Sequence, residues 1–320
     1  MNRDCQQLFG EGMAQLSKNW HICLWPLEDC SKKAIRAHSI QNNVVLERLC
    51  ENGHVVMPKL SISLEKPPKV EFQFIGRNKA TTFTGLCSEH DSAMFTEIEL
   101  NEIDLDSPLH CFLLAYRALL KETHSCRKAA RDTQLNYLAG VSNGVYPDGP
   151  HPAGEGAIEL IIAAYNLDKP KIIFDESYAS SKYQNICHEA LYLDIEPSVA
   201  VNSMFSTDIL SDTTDSLVYL TLNVFPTAVG RTAVLFSYVA EHADEAARYL
   251  DKMKALEGQP LLLELSRLIL RKCENFAVSP KIYHSYSDSQ EKKMLDFYIR
   301  NSNGQEYESN DPKICLFGAV

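Results

Sequence analysis

The chain has no apolar run long enough to cross a membrane. Its longest runs, around residues 160–165 and 261–270, are short or broken by Glu and Ser, and a bilayer span needs about eighteen or more apolar residues. It also has no basic excess. Against 42 Asp and Glu stand 31 Lys and Arg, a net charge of −11, which argues against broad electrostatic wrapping of nucleic acid. There is no P-loop, no dinucleotide-binding glycine pattern, no internal repeat and no low-complexity block. The first residues, Met-Asn-Arg-Asp-Cys-Gln-Gln, lack the basic-then-apolar order of a secretory signal. A cytoplasmic protein with reduced thiols is the resulting expectation for ten cysteines scattered through the sequence.

With 320 residues, 45% of them hydrophobic, the chain can bury a full core and has length for two units. Its charge is uneven. Residues 1–90 hold 11 Lys and Arg against 9 Asp and Glu, whereas residues 91–320 hold 20 against 33. An acidic body carries a near-neutral N-terminal region, which leaves room for local phosphate contacts there.

The most informative stretch runs from Cys23 to Asp91. It opens with Cys23-Leu-Trp-Pro-Leu-Glu-Asp-Cys30 and closes with Thr84-Gly-Leu-Cys-Ser-Glu-His-Asp91. Zinc favours thiolate and imidazole in a tetrahedron, and three cysteines with one histidine is a common structural set. Cys23, Cys30, Cys87 and His90 form such a set in two pairs. The second pair suits the first turn of a helix, where residues three apart share a face and free backbone N–H groups stabilise a thiolate. Six residues separate Cys23 from Cys30, wider than a tight knuckle, and a loop through Pro26 has to span them. Cys50 is the substitute ligand, and four core or surface thiols and imidazoles without metal are the alternative.

Around these residues the pattern predicts a short amphipathic helix over residues 1–19 and extended chain over 34–40. A helix over 42–50 stops at Asn52-Gly53. Strands follow near 55–62 and 70–74, separated by Lys66-Pro-Pro-Lys69, and a helix begins at Cys87. Asp106-Ser-Pro starts one long helix or two to about Leu138. The Gly- and Pro-rich residues 140–156 read as a linker. Beyond it the pattern gives a short helix over 157–166 and strands at 171–174, 189–195 and 217–224. A hairpin turns at Thr227-Ala-Val-Gly-Arg-Thr into 233–239, and helices follow at 241–253, 260–273 and after Ser285. The fold class is therefore α+β, with an N-terminal zinc domain, central helices and a C-terminal α+β domain with an antiparallel hairpin. The domain division is 1–104, a helical connector 105–139, the linker 140–156, and 157–320.

In order, a knuckle pair, a β-hairpin and a helix donating the second pair resemble a treble clef. Arg36-Ala-His-Ser-Ile-Gln resembles the extended His-containing segment of HNH endonucleases, a treble-clef subgroup. That resemblance implies His38 as general base for phosphodiester hydrolysis and a catalytic Mg²⁺ or Mn²⁺. It implies Asn42 or Asn43 in a loop-fixing role, and His90 or Asp91 near the closing histidine. Ala37 stands where the family has an acidic metal ligand; the competing expectation is a structural His38 bonded to a backbone carbonyl, or His38 as the fourth zinc ligand in place of His90. Two-part layouts of this kind occur in bacterial defence proteins. Two functions are expected from this: a zinc-binding nucleic-acid-binding or adaptor module touching DNA or RNA through its N-terminal region, or a metal-dependent nuclease.

Other groupings carry less. Gly140-Val-Ser-Asn-Gly144 matches the serine-hydrolase elbow in letters but follows helical rather than strand sequence. His124 with Cys126, Cys187 with His188, Asp175 with Glu176, and His54 after a helix stop read as ordinary structural positions.

Overall fold

A computed structural model of the protein describes residues 20–61, 69–214, 216–302 and 307–318. The helix expected over residues 1–19 lies outside them. After a short strand β1 (Ala37–His38), the turn Asn42–Leu46 runs into a helical turn α1 (Glu47–Leu49). Strands β2 (His54–Ser61), β3 (Lys69–Gly76) and β4 (Thr82–Phe83) lead to helix α2 (Ser88–Leu100). Two long helices follow, α3 (Pro108–Ser142) and α4 (Pro152–Ser180). Then come β5 (Ile186–Leu193), β6 (Val199–Leu210), β7 (Leu217–Pro226) and β8 (Thr232–Val239). Helices α5 (Ala243–Lys254) and α6 (Gly258–Lys272), strand β9 (Phe276–Val278), and helices α7 (Pro280–Tyr283) and α8 (Asp288–Ser302) complete the described elements.

Seven strands form one sheet in the order β3-β2-β9-β6-β7-β8-β5, every neighbouring pair antiparallel. The single residue pairing Val56–Val278 joins the β2–β3 hairpin to the strands of the later sequence. Both faces of the central strands are covered. Ala200, Met204, Ala233 and Leu235 pack with α2, α3 and α4 on one side. Val201, Phe205, Val234 and Phe236 pack with α5, α6 and α8 on the other. That is why β8 is buried at every position and reads as a continuous apolar run rather than as an alternation. The architecture is mixed helix and antiparallel sheet, and the expected hairpin at Thr227 is β7–β8, with Thr227 N–H bonded to Arg231 O.

Several element expectations change. Residues 171–174, expected as a strand, lie inside α4, which is far longer than the helix expected over 157–166. Pro170 interrupts the pattern without breaking the helix. Leu167 and Phe174 turn toward α3, where Phe112 stacks on Phe174 with ring centroids 5.5 Å apart. Lys171 is tied to Asp175 one turn on. Packing and pairing of this kind override local propensity. The Gly/Pro-rich residues 140–156 end one helix, turn, and begin the next, so α3 and α4 pack as an antiparallel hairpin. Strands β6 and β9 were not legible, because both are covered on two sides.

The N-terminal segment is fastened to the sheet by buried amides. Asn275 Nδ2 donates to Ser39 Oγ (2.8 Å) and to Asn202 O (2.6 Å), and Asn202 Nδ2 donates to Asn223 Oδ1 (2.7 Å). Such bonds satisfy groups whose burial would otherwise cost about 1–3 kcal/mol each.

Candidate metal centre

The backbone brings the two cysteine-bearing segments together before any side chain is considered. Strands β1 and β4 pair at Ala37–Phe83 and His38–Thr82. On either side of the Cys23–Cys30 loop, Leu24 N–H donates to Gly85 O and Ile35 N–H to Leu86 O, both at 2.8 Å. Ala34 N–H closes the loop onto His21 O at 3.2 Å. The loop is therefore clamped at both ends, which is how six intervening residues serve as a knuckle. Gly85 is required by closeness: a Cβ there would meet the Phe83 ring at 2.4 Å.

Cys87 is the N-cap of α2, and the first helical bond runs from Asp91 N–H to Cys87 O. The helix start expected from the Cys-x-x-His spacing is found there. Cys23, Cys30, Cys87 and His90 each offer one donor atom, and these four atoms all lie within 4.8 Å of one another. Cys23 Sγ is 3.3 Å from His90 Nδ1, and Cys30 Sγ is 3.9 Å from Cys87 Sγ. Zinc bonds of about 2.0–2.3 Å in a tetrahedron place donor atoms about 3.3–3.8 Å apart, so the spacing and the donor chemistry both fit that ion. Cys23, Cys87 and His90 are buried and Cys30 is half-buried.

The electrostatics divide the thiols. Burial, opposed by N–H bonds from Cys87 and Trp25, pushes Cys23 up to about 11. Cys87 is also pushed up by burial. The backbone N–H of His90, the Cys30 and Cys23 thiols and the N–H of Glu89 outweigh that and leave it below the ordinary thiol value. The helix N-terminus thus favours one thiolate, while further thiolates this close repel one another. A divalent cation removes that conflict and deprotonates coordinating thiols.

Neighbouring side chains hold the cluster in place. Trp25 lies flat on the His90 ring, with centroids 4.3 Å apart and planes 12° apart, and meets Tyr178 of α4 edge-on. Lys32, two residues after Cys30, forms an ion pair with Glu89, so the loop and the helix are also tied at the surface. The Trp25 stack carried no signal in the sequence, since a lone tryptophan inside a knuckle does not announce its partner.

The other candidates stand apart from this cluster. Cys50 donates to Glu47 O at the end of α1. His38 Nε2 is 3.0 Å from Arg77 O, the carbonyl partner expected of a structural histidine. Asn42 Nδ2 donates to Asn78 Oδ1 at 3.2 Å on the surface. Asp91, directly after His90, has its carboxyl raised by burial, with Arg117, Glu99 and His38 the charged groups acting on it. Arg117 is fully buried, 2.6 Å from Glu99 and over the Phe95 ring. Ser142 ends α3 rather than crowning a strand, so the elbow pattern has no elbow. His124 bonds Thr84 and Cys126 bonds Glu122, and Asp175 is engaged by Lys171 and Tyr116. No helix among the described residues is long and apolar enough to cross a membrane. Compared with known proteins, the chain matches no protein-family model, no curated protein and no solved structure.

Proposed function

We propose that the protein is a zinc-binding module in which Cys23, Cys30, Cys87 and His90 hold one structural Zn²⁺ in a treble-clef-like arrangement. The convergence of four soft donor atoms from two distant segments carries this reading. Three thiolates and one imidazole around zinc leave no open position for water, so the ion supplies folding energy rather than catalysis. The knuckle, the clamp to Gly85 and Leu86, and the first turn of α2 become one unit when it binds. On this reading the protein works as a nucleic-acid-binding or adaptor module built on that unit. Metal analysis of the purified protein tests the zinc, with one equivalent expected. Electrophoretic mobility shift with duplex DNA and single-stranded RNA separates a nucleic-acid module, which retards the probe, from an adaptor, which does not.

A second reading, metal-dependent phosphodiester hydrolysis with His38 as base, draws on one observation. Asp91 sets a carboxyl within electrostatic reach of His38, which Ala37 cannot supply. The bond to Arg77 O makes Nε2 the protonated nitrogen and leaves Nδ1 as the base. Incubation with plasmid and RNA in Mg²⁺ or Mn²⁺ tests it: cleavage lost in His38→Ala supports the nuclease, and absence of cleavage in the folded wild type removes it.

A further inference from the structure

The outer flank of the α3–α4 hairpin exposes apolar side chains that nothing among the described residues covers. On α4, Ile158, Ile161, Tyr165 and Ile172 are 58%, 42%, 66% and 56% exposed, and on α3 Leu135 and Leu138 are 41% and 51% exposed. Residues three and four apart share a helix face, so Ile158, Ile161 and Tyr165 make one stripe, which Ile172 continues. The inner faces of the two helices are engaged with each other: Ala157, Ala164, Leu167 and Phe174 are buried on α4. Arg127 reaches Asp168 at 2.5 Å, and Tyr137 lies against Gly154. A third flank, with Glu122 and Cys126 of α3 and Ala163 and Leu167 of α4, faces Met204 and Phe205 of the sheet. Helical phase in an antiparallel pair then puts Leu135 and Leu138 beside the α4 stripe, on the side away from the sheet. The described cover of α3 ends at Trp20, whose ring lies 5.5 Å from the Arg131 guanidinium, one turn before Leu135.

We infer that this flank is the interface with a second copy of the chain. Two hairpins close about a twofold axis into an antiparallel four-helix bundle. At an order of 100 Å² for each half-exposed large side chain, the six residues present roughly 600 Å², the upper end for the largest apolar patch on a monomer. Over two copies that is about 1,200 Å², the lower end of specific, stable interfaces. Its make-up matches a copy of itself better than an occasional partner. Homodimer interfaces are the more apolar class, and transient ones are no more apolar than ordinary surface. At its border Arg127 pairs with Asp168 and Lys128 with Asp132.

Light scattering on the size-exclusion peak of the full chain at micromolar concentration tests this. The wild type is expected at twice the chain mass. Ile161→Glu with Tyr165→Glu on α4, and separately Leu138→Glu on α3, are expected at the single-chain mass with an unchanged circular dichroism spectrum. Each weakens association at least about 30-fold, the effect of losing one hot-spot side chain. Because each helix has its own variant, one that fails to fold leaves the other to decide. A monomeric wild type, whether the flank stays bare or is covered by residues 1–19, overturns the inference. So does a dimer that persists in the folded variants.

Discussion

Cys23 Sγ and His90 Nδ1 are 67 positions apart in sequence and 3.3 Å apart in space. Between them the chain makes a knuckle loop, a helical turn and a β-hairpin of the main sheet before it returns to α2. The N-terminal segment is held by two kinds of bond, the buried hydrogen bond from Asn275 to Ser39 and the proposed metal. The first survives without the ion; the second does not.

Cys87→Ser removes both a ligand and the thiolate that the start of α2 favours. Bound metal is expected to fall from about one equivalent to near zero at modest chelator concentration, and the melting temperature to fall with it. Cys50→Ser, which changes a thiol outside the cluster, is expected to leave both unchanged. Metal analysis with a parallel melt of the two variants reads the difference.

Trp25 reports on the site. The chain has 2 tryptophans, so Trp20→Phe leaves the indole stacked on His90 as the only one. Coordination would fix the imidazole against the indole, and release of the metal frees that ring to move. Chelation is expected to change the emission of that variant and to leave a Trp25→Phe chain unchanged. Steady-state fluorescence against chelator concentration measures it.

Gly85 separates steric from chemical requirements. In Gly85→Ala the new Cβ meets the Phe83 ring while every ligand remains. The expected cost is about 1–3 kcal/mol of stability, as for other overpacked sites, with metal still bound but released more readily. Phe83→Leu in the same chain is expected to restore part of the loss. Denaturant unfolding of the single and double variants shows whether the two substitutions couple.

His188 sets a pH dependence away from the metal. Burial holds it down at about 4, with Nδ1 2.8 Å from Ser237 Oγ, against about 6.5 in an unfolded chain. The unfolded chain therefore binds the extra proton first. This contribution is complete above about pH 6.5 and is lost as pH falls toward 4, up to about 3 kcal/mol. His188→Gln is expected to flatten that part of the stability profile, measured by urea unfolding between those pH values. Equal slopes for the two proteins contradict the assignment.

The Cys23, Cys30, Cys87 and His90 cluster was legible because thiols and an imidazole, two of them at a helix-start spacing, form a donor set that could hold a metal. The hairpin strands 54–61 and 69–76 and the β7–β8 turn were legible for the same reason, through breakers and alternation. What was hidden depends on tertiary partners. β6 and β9 are covered on both faces and so show no period. The later half of α4 contains Lys171-Ile-Ile-Phe174 after a proline, a strand by propensity, and is held as helix by α3. Nor did the sequence say that the β2–β3 hairpin enters the same sheet as β6–β8, which rests on Val56–Val278 pairing. The exposed stripe of α4 was hidden with it, since a strand at 171–174 ends the helix before Ile172.

The most direct measurement is X-ray absorption at the zinc edge on protein purified without added metal. Three sulfur scatterers at about 2.3 Å and one nitrogen at about 2.0 Å, with the nitrogen lost in His90→Ala, is the predicted result. A folded protein without stoichiometric metal, or a zinc ion bound mainly by oxygen, contradicts it.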